Sequence, residues 1–75
     1  MTEQEWRDKF GKRLLKLKYQ AGKMSGRKLA EVSGISDDAI SRYINGTRTP
    51  SAYNLVRLAK ALNCSLDELL PTDKN

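Results

Sequence analysis

The sequence has no histidine, a single cysteine and no long hydrophobic run. Cys64 has no second cysteine with which to form an internal disulfide, and a Cys–His metal site is excluded as well. No nucleophile stands beside a general base, so nothing in the residues favours an enzyme. We therefore expect a non-catalytic protein without metal or other cofactor, in a reducing, cytoplasmic compartment.

No apolar segment approaches the ~20 residues that a membrane-spanning helix needs. The first ten residues, MTEQEWRDKF, lack the apolar centre of a signal peptide. We expect no membrane partner. A chain of 75 residues has room for one domain, and we assign residues 1–75 to it.

The charge is positive and unevenly distributed. The 14 lysines and arginines outnumber the 9 aspartates and glutamates, and most of the basic side chains precede residue 29. Such a balance favours an anionic partner: nucleic acid first, then an anionic membrane surface or an acidic protein. A basic stripe at helical spacing is formed by Lys9, Lys12, Arg13 and Lys16. Two interpretations are open: the stripe attracts DNA, or it is a solvated helix face. We favour the solvated face.

Five helices are predicted and no strand. Capping boxes at Thr2 and Ser65, each followed three residues later by a glutamate, mark the starts of the first and fifth helices. Ser25 and Ser36 should cap the second and third helices, and the fourth should run from about Ala52 to Leu62. The first four helices should end near Gly22, Gly34, Ile44 and Leu62, and the fifth should end before Pro71. The last four residues, TDKN, are interpreted as a frayed tail. Five short helices with short loops predict a compact all-α domain.

The second and third predicted helices are joined by the short turn SGIS, which is typical of a helix-turn-helix over residues 25–45. At about 100° per residue, the apolar side chains of the third helix occupy one half of its circumference and the polar ones the other. If the apolar half docks on a core, the polar half faces outward, where a recognition helix meets the DNA major groove. A plain amphipathic surface helix is the alternative.

The chain resembles the lambda-repressor-like (Cro/repressor-type, or XRE-type) helix-turn-helix family over residues 8–70. The resemblance is carried by LAEVSGISDDAISRYING, by the arginine and proline of RTP, and by LVRLAKALNCSLDELL. It implies a five-helix fold and sequence-specific binding of double-stranded DNA at a palindromic operator as a homodimer. The function implied is that of a bacterial or phage transcriptional regulator, most often a repressor.

The resemblance also implies roles for individual residues. Those at positions where the family reads base edges are Ser36, Asp37, Asp38, Ser41 and Arg42. Those at positions expected to meet phosphates are Ser25, Arg27, Lys28, Asn45, Thr47, Arg48 and Thr49. Two alternatives stay open: Arg42 pairs with Asp38 on its own helix, and Asn45 serves with Gly46 as a left-handed helix stop.

The sequence departs from the family at several positions. Gly26 replaces a glutamine that commonly supports the recognition helix, and Ile44 replaces a glutamate, so Lys18 should lack the ion pair usual there. Two other functions on this fold therefore stay open: an antitoxin or restriction-modification controller, and a protein-interaction module that lost DNA binding. An antitoxin would also bind a protein partner.

Overall fold

Each helix begins at a serine or threonine whose side chain caps its first turn. In the computed structural model, which describes residues 1–71, the capping hydroxyls belong to Thr2, Ser25, Ser36, Ser51 and Ser65. Each accepts a hydrogen bond from the backbone N–H three residues further on, an interaction worth about 1 kcal/mol relative to alanine. Four of these caps were predicted from the sequence; Ser51 was not.

Both predicted capping boxes are present. The backbone N–H of Thr2 donates to Glu5 Oε1 at 3.0 Å, and that of Ser65 donates to Glu68 Oε1 at 3.2 Å. The hydrogen bond from Thr2 holds the pKa of the Glu5 carboxyl below its usual value. Both carboxylates also lie at the positive end of a helix dipole.

The helices are α1 (Glu3–Gln20), α2 (Gly26–Ser33), α3 (Asp37–Ile44), α4 (Ala52–Ala61) and α5 (Leu66–Leu69). No strand occurs in residues 1–71, and the all-α prediction is confirmed. Helix α4 ends one residue earlier than predicted, with Leu62 as its C-cap. Helix α5 is a single turn because Leu70 precedes Pro71 and takes an extended backbone. The tail predicted to fray lies outside the described residues.

All five helices contribute to one core. Its fully buried large side chains are Phe10, Leu14, Leu29, Ile40, Leu58 and Leu69. Burial of each contributes about 1.5–3 kcal/mol. Helix α1 packs on α3 and α5, and α2 packs on α3 and α4, so α3 is held from two sides. Within the described chain, no helix combines the length and the apolar character required to cross a bilayer.

Aromatic packing joins α1 to α3. Trp6 stacks on Phe10 with ring centroids 5.1 Å apart, and Phe10 meets the ring of Tyr43 edge-on at 6.3 Å. These geometries suit the ring quadrupoles and add about 0.5–1.5 kcal/mol per pair beyond burial. Trp6 therefore extends the core toward the amino-terminal end of α1.

Candidate nucleic-acid interface

The turn between α2 and α3 is fixed by its own residues. Helix α2 ends at Gly34, whose φ of 74° is left-handed and whose N–H donates to the carbonyl of Ala30. Ile35 is buried in the core, and its N–H donates to Ser33 Oγ at 3.2 Å. Because glycine takes this φ without strain and Ile35 anchors the turn, the angle between the two helices is held. The predicted helix-turn-helix is thus present.

Helix α3 is divided into a buried half and an exposed half, as the sequence predicted. Ala39, Ile40 and Tyr43 are buried against the core, and Ile44 is half-buried. The outward-facing side chains of this region are Asp37, Asp38, Ser41, Arg42 and Asn45. The exposed half is therefore polar throughout and free of core contacts.

Helix α1 approaches the backbone of α3 closely at Gly11. A Cβ atom at this position would lie 2.5 Å from the carbonyl oxygen of Ile44 and 2.8 Å from that of Tyr43. Only a residue without a side chain permits this spacing. Gly11 was not among the residues predicted to pack closely, although a glycine inside a strongly helical segment is a recognised indication of close packing.

A hydrogen bond across the core also fixes α3. The amide Nδ2 of Asn54 in α4 donates to the hydroxyl of Tyr43 at 2.9 Å. Tyr43 is almost fully buried, and Asn54 is half-buried. This contact was not predicted from the sequence, because the pairing of the two residues depends on the tertiary fold.

All twelve residues predicted to contact DNA are exposed. They fall into three segments: the start of α2, the outer half of α3 with its cap, and the loop that follows α3. Several of them also take part in N–H···O bonds within the protein. Ser25 and Ser36 accept the capping bonds described above, and Thr47 binds the end of α3. A capping serine uses its oxygen as acceptor, so its O–H can still donate to a phosphate.

Arg42 pairs with Asp38, which is the alternative that the sequence left open. Its Nε donates to Asp38 Oδ2 at 2.9 Å, and the two side chains are 52% and 74% exposed. An ion pair so exposed contributes only about 0–1 kcal/mol. Among residues 1–71, the terminal guanidinium nitrogens of Arg42 have no partner. The side chain is therefore positioned on the outer face but held weakly.

Asp37 lies beside the first residue of α2. A Cβ atom at Gly26 would lie 3.4 Å from Asp37 Oδ1. A side chain longer than that of glycine at this position would therefore contact the Asp37 carboxylate. The carboxylate of Asp37 therefore lies beside the start of α2.

The loop after α3 contacts the start of α1. Gln4 Nε2 donates to the carbonyl of Gly46 at 2.9 Å, and Thr49 Oγ1 accepts from Arg7 Nε at 2.8 Å while donating to Glu3 Oε2 at 3.0 Å. The hydroxyl of Thr49 is thus engaged within the protein. The loop is supported by α1, a contact that the sequence analysis did not anticipate.

The stop of α3 differs in one respect from the expectation. Gly46 has a φ of 74° and is left-handed, but Asn45 has a φ of −80° and stays in the right-handed helical region. Thr47 completes the stop, since its N–H and its Oγ1 both donate to the carbonyl of Arg42, at 2.9 and 3.2 Å. The left-handed role proposed for Asn45 is therefore wrong, and its exposed amide is not needed for the turn.

Arg27, Lys28 and Arg48 make no ion pair within the described part of the chain. Together with Arg42 they place four cations against two carboxylates on the candidate interface. The surface formed by these groups is positive, with the negative charge confined to the first turn of α3. It has the character of a nucleic-acid-binding surface.

Comparison with known proteins agrees with this geometry. A family model described as helix-turn-helix matches residues 15–69, which include all of α2, α3 and α4. The chain is similar to the crystal structure of the restriction-modification controller protein C.AhdI from Aeromonas hydrophila. The two are 34% identical, the alignment covers 85% of this chain and 96% of that one, and the TM-score is 0.81. No curated protein sequence matches this chain significantly.

Proposed function

This chain belongs to the helix-turn-helix family, of the lambda-repressor-like type, and is a DNA-binding transcriptional regulator; from this premise we propose how it selects and holds its site. Helix α3 lies in the major groove with its polar half against the base edges. The single observation that carries the proposal is the division of α3 into a buried apolar half and an exposed polar half beside a rigid turn.

Base readout is assigned to the exposed residues at the start and middle of α3. Arg42 takes the principal role, because its terminal nitrogens suit the O6 and N7 atoms of guanine. Ser41 is small and permits close approach. Ser36, Asp37 and Asp38 lie at the end of α3 that enters the groove, where a carboxylate accepts a hydrogen bond from cytosine N4 and repels phosphate.

Phosphate contacts are assigned to the two segments that flank α3. Ser25, Arg27 and Lys28 hold one phosphate at the start of α2, through side chains and backbone N–H groups. On the other side the assigned residues are Asn45, Thr47, Arg48 and Thr49. Arg48 carries most of this second contact, since the hydroxyls of Thr47 and Thr49 are already engaged within the protein.

We further propose that the protein binds a palindromic operator as a homodimer. Each domain offers one α3, and two copies related by a two-fold axis present two such helices one turn of DNA apart. Tyr53, Val56 and Leu66 are the large apolar side chains exposed on α4 and α5, and they supply a surface for the second copy.

We propose that the protein represses transcription by occupying DNA that polymerase needs. The chain acts by binding alone, without catalysis, and works in the cytoplasm, where bacterial DNA lies. A restriction-modification controller is the second candidate, supported by the similarity to C.AhdI. A restriction or modification gene under the control of the bound operator would distinguish the controller from a general repressor.

The test is selection of binding sites from a random duplex library, followed by affinity measurements over a range of salt concentrations. We expect one enriched palindrome. With three phosphate-binding cations from each of two copies, log K should fall against log salt with a slope of about −5. Failure to enrich any sequence, together with a salt-independent affinity, would refute the proposal.

A further inference from the structure

The basic stripe on α1 borders a groove that the proposed DNA contacts do not use. The groove has a volume of about 440 Å³ and lies between α1 and the carboxyl-terminal side of α5. Its cationic lining consists of Lys9, Lys12, Arg13 and Lys16, and its apolar lining of Leu17 and Pro71. We call it the α1–α5 groove.

The α1–α5 groove lies on a different face from the surface assigned to DNA. Gly11 marks the side of α1 that touches α3. At about 100° per residue, the four basic side chains lie roughly 100–200° around the helix from Gly11. Lys9, Arg13 and Lys16 therefore point away from α3, and Lys12 points to the side. The duplex proposed to lie against α3 would leave them uncovered.

The groove is built by a contact between helices. Arg13 NH1 donates to the backbone carbonyl of Glu68 at 2.9 Å and so joins α1 to α5. The carboxylate of Glu68 is engaged at the start of α5 by Ser65, through the bonds of the capping box. Within residues 1–71, Lys9, Lys12 and Lys16 make no ion pair. The lining therefore holds four cations against the carboxylate of Glu68, and the groove is positive overall even though Lys9 also lies near Glu5.

We propose that the α1–α5 groove binds an acidic peptide segment of a partner protein, with an apolar residue among its carboxylates. Lys9 and Lys16 are separated by about 10 Å along the axis of α1, with Lys12 between them. Alternate side chains of an extended peptide are about 7 Å apart, so successive carboxylates on one side reach successive lysines. The half-buried side chain of Leu17, beside the buried Pro71, offers a contact that an apolar side chain uses and a phosphate backbone does not.

The test measures peptide binding in the absence of DNA, so its failure would leave the proposed regulator function untouched. The probe is the fluorescein-labelled peptide Glu-Asp-Leu-Glu-Asp-Leu-Glu-Asp, followed by fluorescence anisotropy. A peptide with serine in place of leucine and a single-stranded oligothymidylate of equal charge serve as comparison ligands. Lys12→Glu with Lys16→Glu is the groove variant. Lys23→Glu with Lys60→Glu, at exposed lysines elsewhere, is the control with the same net charge.

We expect the groove variant to raise the Kd of the leucine peptide at least about fivefold, and the control to change it less than about twofold. The leucine peptide should also bind the natural protein more tightly than the serine peptide does. Circular dichroism checks that both variants are folded. Equal effects of the two variants, tighter binding of the oligothymidylate, or no binding of the leucine peptide to the natural protein would each overturn the proposal.

Discussion

Replacement of Gly11 by alanine tests whether the spacing of α1 and α3 positions the recognition helix. The added methyl group would lie 2.5 Å from the carbonyl oxygen of Ile44 and 2.8 Å from that of Tyr43. A comfortable carbon–oxygen contact is about 3.3 Å, so α1 and α3 must separate by roughly 0.8 Å. The atoms in the way belong to the backbone of α3, which cannot turn aside as a flexible side chain does.

Two opposing effects set the magnitude. Alanine is favoured over glycine inside a helix by about 0.5–1 kcal/mol. Overpacking of a well-packed core costs about 1–3 kcal/mol, and the separation also weakens the edge contact of Phe10 with Tyr43. We expect Gly11→Ala to lower the free energy of unfolding by about 1–2 kcal/mol. In a domain of this size each kcal/mol lost lowers Tm by roughly 4–8 °C. Operator affinity should fall as well, because α3 is displaced.

Urea unfolding followed by circular dichroism measures the change, and Gly26→Ala is the matched control. At Gly26 the new methyl group would meet only the flexible carboxylate of Asp37, at 3.4 Å. That variant should be within about 0.5 kcal/mol of the natural protein. If Gly11→Ala proved as stable as the natural protein and bound the operator equally well, the close approach would not position α3.

Three further predictions concern other contacts. Tyr43→Phe removes the hydrogen bond from Asn54, so urea unfolding should show a loss of about 0.5–1.5 kcal/mol; unchanged stability would mean that this bond does not support α3. Burial, with a smaller effect from the charge of Glu68, raises the pKa of the Cys64 thiol, so iodoacetamide at pH 8 should alkylate it more slowly in the folded protein than in urea. Equal alkylation rates would contradict this placement. Asp38→Asn removes a charge that repels phosphate and releases Arg42, so anisotropy at low salt should show tighter binding to non-operator duplex and a smaller preference for the operator; weaker non-operator binding would refute this role.

The sequence predicted most helix starts because the chemistry of an N-cap is local. A hydroxyl three residues before a glutamate marks a start without knowledge of the fold, as at Thr2 and Ser65. The ends were less accurate. Helix α5 was shortened by the extended backbone of Leu70, which the following proline imposes.

The buried and exposed halves of α3 were also predictable, since helical periodicity alone assigns Ile40 inward and Arg42 outward. The supports of α3 were not. The approach at Gly11 and the bond between Asn54 and Tyr43 join residues far apart in the chain. No local pattern reports which backbone or side chain will lie opposite a given residue.

The positions of the two acids of α3 required the structure as well. Both could be placed in the first turn from the sequence, where the helix dipole favours them. Only in the folded structure does Asp38 pair with Arg42 and Asp37 lie against Gly26. The charge of Asp38 is thus partly balanced within the protein before any DNA is bound.

The central claim is that α3 reads bases through Arg42. The most direct measurement compares the natural protein with Arg42→Ala on the selected operator and on a panel of its single-base variants. We predict a loss of about 1–3 kcal/mol on the operator, with discrimination abolished at one base pair of each half-site and retained elsewhere. Uniform weakening on every duplex of the panel would make Arg42 a phosphate contact and contradict the claim.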